Sequence, residues 1–205
     1  MTKLVLKTVA ITLVAVLGAC LITFGSLALF APVSLARMFD GLGMYKSSIH
    51  YYEKQYGKSE SIEDLAVLVL KIDNEKDSVK AEKYLEIMVQ HPDYSTYCET
   101  ASEDDAFSNL SLSEFYNAKY AVALVKNSAE TPEKFNSAIQ FANAIAHFGY
   151  NENNPFSAII SELGGSLSEE QLLALKSEIL EYLDDGQNQI AKSDINTIDQ
   201  LLDNN

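Results

Sequence analysis

The pattern of polar and apolar positions changes abruptly at the first proline. From Thr8 to Ala36 no side chain carries a charge, and Val9–Ala31 is interrupted only by Thr12, Gly18, Thr23, Gly25 and Ser26. Wound as a helix, that window is about 35 Å long at 1.5 Å per residue, enough to cross a bilayer's hydrocarbon core with some tilt. A transmembrane signal anchor over residues 1–36 is the simplest reading. Two processing alternatives compete with it. Lys3 and Lys7 followed by an apolar stretch also describe the start of a secretory signal peptide. Leu17-Gly18-Ala19-Cys20 has the form of a bacterial lipobox, whose cysteine is lipidated after cleavage. Lipoproteins then continue into a polar tether, whereas Leu21–Val33 stays apolar. A cut after Ala36 would need an apolar region beyond the usual signal length.

Beyond Pro32 the apolar residues recur at helical spacing. Tyr45, Ile49, Tyr52 and Tyr56 lie on one helical face, and Ser61 with Asp64 opens a second helix carrying Leu65, Leu68, Val69 and Ile72. Ala81, Tyr84, Leu85, Met88 and Val89 form the stripe of a third, closed before Pro92. Tyr94, Tyr97, Cys98 and Ala101 predict a short helix before the acidic break Glu103-Asp104-Asp105. Ser111 with Glu114 caps a helix bearing Phe115, Ala118, Val122 and Val125. Thr131-Pro132-Glu133 starts another with Phe135, Ala138, Ile139, Ala142, Ile145 and Ala146. After the break at Gly149–Pro155 come a short apolar helix around Phe156–Leu163 and one opened by Ser168 and Gln171. A last short helix is marked by Ile195, Ile198 and Leu202. No run alternates with period two, so the expected fold class is all-α: a transmembrane helix, helical pairs over 37–155, and C-terminal helices over 156–205.

Charge narrows the partners. Of the 15 basic residues, Lys3, Lys7 and Arg37 lie at the anchor; the 12 that remain face 29 acidic ones, a net of −17. So acidic a domain repels phosphate backbones and anionic headgroups, which disfavours nucleic acid and peripheral lipid docking. The plainer role of the charge is solubility. Lys3, Lys7 and the terminal amine on one flank of the anchor, against Arg37 and Lys46 on the other, favour the N-terminus inside and the domain outside. Cys20 falls within the anchor and Cys98 in the domain, so the two cannot pair.

The stretch Gly43-Met44-Tyr45-Lys46-Ser47-Ser48-Ile49-His50-Tyr51-Tyr52-Glu53-Lys54 resembles the second half of a tetratricopeptide repeat. Gly43, Tyr45, Ser48, Ile49 and Tyr52 fill its Gly-x-Tyr, small, aliphatic and aromatic positions. Ala81, Leu85 and Met88 repeat the small and apolar positions 33 residues after Ser48, near the family's 34-residue period. A third match at Ala138, Ile139 and Ala142 lies 57 residues further on, so an insertion breaks the period. Ser48 stands where the family has alanine. The layout of an anchor followed by helical pairs also resembles uncharacterised membrane proteins of Firmicutes. The repeat resemblance implies stacked helical pairs with a concave surface that binds peptides or helices of other proteins.

Motifs for chemistry are sparse. His50, His91 and His147 are scattered without metal-site spacing. His91, at the end of a predicted helix, and Cys98, seven residues on across a proline, are not read as a nucleophilic pair, because Cys98 sits on an apolar stripe as a core thiol. Asp73, Glu75 and Asp77 begin like a calcium loop, but Ser78 replaces its glycine and Tyr84 its bidentate glutamate. Gly164-Gly165 precedes no lysine and follows no strand. No cofactor, metal or catalytic residue is therefore expected. Tyr51, Tyr116 and Tyr120 lie off the apolar stripes and are the candidate partner-binding residues, as aromatic anchors facing a groove. Ala15, Ala19 and Thr23 form a small-residue ridge suited to packing against another transmembrane helix. The functional expectation is a membrane-tethered protein-interaction scaffold without catalysis. The alternative is an extracytoplasmic binding protein for a small ligand or cell-wall fragment.

Overall fold

Pro32 ends the first helix and begins the second. It has no N–H to give, and it drives the residue before it out of the helical region. Ala31 accordingly sits at φ −140°, ψ 60°, between α1 (Thr2–Phe30) and α2 (Pro32–Gly41), where Pro32 occupies the first helical position. The computed structural model describes residues 2–102, 111–128, 131–146, 151, 153–183 and 188–204. Among them there are eleven α-helices, two short 3-10 turns and no strand, so the protein is all-α. The chain forms two compact units, Met1–Lys71 and Ile72–Asn205. The division falls inside α4 (Ile62–Asn74).

In the N-terminal unit α2 pairs with α3 (Tyr45–Ser59). Gly43, at φ +69°, turns the chain between them in a left-handed conformation that favours glycine. Leu35 and Ala36 of α2 and Ser48, Ile49 and Tyr52 of α3 are buried. The expected apolar stripe of α3 holds except at its first residue. Tyr45 is 51% exposed, because a helical side chain covers the turn N-terminal to its own Cα and the Gly43 turn there is itself exposed.

Beneath this pair the Asp40 carboxylate accepts from the Lys71 ammonium at 2.5 Å and from the Tyr52 hydroxyl at 3.4 Å. Burial pushes that carboxyl up, but Lys71, Ser48 and Tyr52 outweigh it and hold it below its ordinary value. The resulting stabilisation is present above the usual carboxylate range, near pH 4, and is lost as pH falls through the lower folded value. The melting temperature of the wild-type protein should therefore drop on acidification below about pH 4. Asp40→Asn should melt lower at neutral pH and lose part of that acid dependence. Circular-dichroism melts across pH check both, and an unchanged acid profile in the variant would rule out this ion pair as its source.

The C-terminal unit is built from α5 (Ser78–Val89), α6 (Tyr94–Ser102), α7 (Leu112–Asn127), α8 (Pro132–Ala146), α9 (Pro155–Leu163), α10 (Glu169–Leu180) and α11 (Gln189–Asp203). Short polar side chains set the starts by taking N–H groups that the helix leaves unpaired. Asp77 accepts from Lys80, Ser111 from Glu114 and Asn154 from Ser157. Ser168 and Gln171 form a reciprocal capping box. Asn188 accepts from both Ile190 and Ala191, which starts α11 early and makes it fifteen residues long rather than the short helix expected. The acidic runs Glu103-Asp104-Asp105 and Asp184-Asp185, the break at Gly149 and His147 lie outside the described residues.

One core runs through α7 to α11, including Ala121, Val125, Phe135, Phe156, Leu172 and Ile198. Helices α9 to α11 share this core with α7 and α8. Helix α7 packs against α5, α6, α8 and α9. The tetratricopeptide resemblance rests on the sequence pattern.

Candidate functional site

The hub helix α7 lines two concavities of the C-terminal unit. A cleft of about 550 Å³ lies between α7, α9 and α11, with Phe115, Ser157, Asp194 and Ile190 among its walls. A second, of about 340 Å³, is lined by residues of α5, α7 and α9 and by the end of α4, with Leu85, Val122, Lys76 and Lys126 among them. Both volumes lie within or near the range of ligand sites. Lys119 and Glu162 line both clefts.

Lys119 therefore stands on the wall the two clefts share. Its ammonium lies 3.0 Å from Glu162 and 3.3 Å from Asp73. Burial pushes the amine down, yet these two carboxylates outweigh burial and raise it above its ordinary value. It stays charged throughout the physiological range. In the larger cleft the Ser157 hydroxyl donates to Asp194, and Asn154, whose amide donates to Ser157 at 2.8 Å, fixes that hydroxyl from behind. The site offers a half-buried aromatic ring, hydroxyls, a carboxylate and a paired ammonium. That set can hold a polypeptide segment or a polyhydroxylated ligand by hydrogen bonds and ring contact.

None of the three candidate tyrosines lines either cleft. Tyr116 and Tyr120 are buried, at 2% and 9% exposure, so the expectation that they face a groove is corrected. The reason is the hub. α7 is covered on several sides, so residues off its main stripe are core as well, and Leu112, Tyr116, Ala118, Tyr120, Ala121, Val122, Ala123 and Val125 are all buried. Burial raises both phenols. Tyr51 is half-buried in the other unit. Its ring stacks on Phe39 at 5.5 Å and meets Phe24 edge-on at 6.4 Å, with the Lys54 ammonium 5.1 Å from its centroid.

Cys98 is buried on α6, and burial pushes its thiol up although Tyr94 hydrogen-bonds to it, as befits a core residue. His91 faces Asp93 at 3.8 Å. Asp77, one of the three acids that begin like a calcium loop, is occupied as the cap of α5. Among the described residues no group of three or more histidine, cysteine or acidic side chains is placed to hold a metal. Ala15, Ala19 and Thr23 lie exposed along α1, the Thr23 hydroxyl donating to the Ala19 carbonyl at 2.9 Å.

The residues that build the clefts escaped sequence reasoning. Lys119 and Glu162 are 43 positions apart, and no local motif links them. Compared with protein-family models, curated proteins and solved structures, the chain matches none.

Proposed function

We propose that the protein is a membrane-anchored, non-catalytic binding module whose helical unit receives a segment of a partner protein. The observation that carries this reading is the pair of clefts sharing Lys119 and Glu162. Two adjoining concavities lined by both apolar and polar side chains suit a polypeptide, which presents side chains of both kinds along its length, better than one compact ligand. The anchor supports tethering. α1 contains a segment, Lys7–Phe30, long and apolar enough to cross a membrane. With Lys3 and Lys7 on the N-terminal flank, the proposed orientation has the N-terminus inside and the helical unit outside.

A second reading, a binding protein for a small polyhydroxylated ligand such as a cell-wall fragment, is favoured by one feature of the larger cleft. Ser157, Ser161, Ser193, Asn153 and Gln189 bring five hydroxyl or amide groups to its walls beside Phe115. Photo-crosslinking in cells separates the readings. A benzophenone amino acid at Phe115 or Lys126 should capture a discrete protein adduct that the same group at Lys134, exposed on α8, does not. Absence of a cleft-specific adduct would remove the partner-protein reading. A small molecule co-purifying with the wild-type protein in native mass spectra would then favour the second.

A further inference from the structure

Besides the length of α1, the N-terminal unit exposes large apolar side chains at the elbow where α1, α2 and α3 meet. Phe30, Met38, Leu42, Met44 and Tyr45 fall within sixteen residues and are each between 42% and 84% exposed. Large apolar side chains exposed together on so short a stretch mark a surface that meets something other than water.

The fold ties that patch to α1. Ala31 alone separates α1 from α2, and α2 is only about 15 Å long. The Phe24 ring lies 6.1 Å from Phe39 and 6.4 Å from Tyr51, and the Lys58 ammonium donates to the Leu29 carbonyl. α2 and α3 are thus packed against the last two turns of α1, beginning at Phe24, about 9 Å before its end. From Lys7 to Phe24 the helix covers about 26 Å, close to the hydrocarbon thickness of a bilayer. Phe24, Phe39 and Tyr51 then stand where aromatic side chains collect at a membrane boundary, with the elbow at headgroup level.

Charge agrees with that placement. Residues 1–71 carry seven basic and five acidic side chains, a net of +2, whereas residues 72–205 carry eight and twenty-four, a net of −16. The repulsion from anionic headgroups implied by the whole chain is therefore not a property of the elbow. Of its charges, Asp40 is neutralised by Lys71, and Arg37 and Lys46 are exposed cations at the edges of the apolar patch. Their aliphatic stems can lie on the apolar surface while their charges reach phosphate.

We propose that the α2–α3 elbow is an interfacial docking surface that inserts Leu42, Met44 and Tyr45 among the headgroups and upper acyl chains of a phospholipid bilayer. The inference rests on the reading of α1 as a membrane helix. Interfacial insertion would restrict the rotation and tilt that a bare tether leaves free, and so fix how the N-terminal unit meets the membrane.

The chain has no tryptophan, so single tryptophans report position cleanly. Leu42→Trp and Met44→Trp test the elbow, Leu21→Trp the span, and Val79→Trp on α5 serves as the exposed reference. Each full-length variant is reconstituted in phosphatidylcholine vesicles with and without lipid brominated near the top of its acyl chains. Leu42→Trp, Met44→Trp and Leu21→Trp should each lose about half their emission to bromine and emit blue of Val79→Trp, which should be unaffected. Quenching at Leu21 with water-like, unquenched emission at both elbow positions would overturn the docking and leave the anchor standing. Blue-shifted but unquenched emission at the elbow would place a protein surface there, such as a second copy, and overturn it too. No quenching at Leu21 would remove the anchor and the docking together.

Discussion

Replacing Leu17 and Leu21 with arginine should strip the protein from membranes. Both lie within the apolar segment of α1 and are exposed, at 54% and 73%, on a stretch of helix that the protein leaves unburied. An arginine at mid-span opposes insertion by about 2.5–3.5 kcal/mol and by less toward the boundary, so the pair opposes it by up to about 5–7 kcal/mol, enough to reverse partitioning. The wild-type chain should pellet with membranes through alkaline carbonate. Leu17→Arg/Leu21→Arg should appear in the soluble or aggregated fraction, while Leu17→Phe/Leu21→Phe should behave as wild type. Membrane retention of the arginine variant at wild-type levels would remove the anchor.

The same membranes test processing and orientation. The mass of the intact protein should include Lys3 and Lys7; a product beginning at a lipidated Cys20 would make it a lipoprotein. With Cys98→Ser and Asn204→Cys, an impermeant thiol reagent should label intact cells before lysis. Labelling only after lysis would place the helical unit inside.

The second large effect is expected at Phe156. The ring is fully buried at the start of α9, in the core shared by α7 to α11, with Tyr182 6.4 Å away. Truncation to alanine removes its transfer free energy and leaves a cavity that close-packed neighbours fill only in part. Phe156→Ala should destabilise the protein by about 3–5 kcal/mol. Phe115→Ala is the informative contrast, because that ring is only partly buried, on the wall of the larger cleft. It should cost about 1 kcal/mol or less in stability and still abolish the cleft-specific adduct captured from Lys126. Denaturant unfolding in detergent supplies the stabilities. Equal destabilisation by the two variants would make Phe115 a core residue and remove it from the site.

Much of the helical layout was legible because its signals are local. Ser111 and Ser168 cap the helices they were expected to cap, and Thr131-Pro132-Glu133 marks the start of α8 as read. Each such signal involves groups three or four residues apart, whose geometry the backbone fixes once the helix forms. The stripe Tyr94, Tyr97, Cys98 and Ala101 likewise marked α6. Asn188 was missed as a start signal because no acid or amide follows it at the capping-box position. The candidate binding residues fared worse. Tyr116 and Tyr120 were placed facing a groove because they sit off one apolar stripe, an inference that assumes a helix has a single buried face. α7 has several.

The sequence by itself determined an uncharged apolar segment long enough for a membrane, an all-helical remainder and the starts of most of its helices. All of these follow from chain-local chemistry: transfer of uncharged side chains from water, periodicity, caps and proline geometry. Only the tertiary structure decided that α7 is a hub, that residues 156–205 complete its core, and that Lys119 meets Asp73 and Glu162 where two clefts adjoin. It also folded Tyr51 back onto Phe24 and Phe39, which converted a candidate groove aromatic into part of the elbow. These features depend on residues far apart in the chain. Their proximity is set by which faces find partners when the whole core packs, and no single segment carries that information.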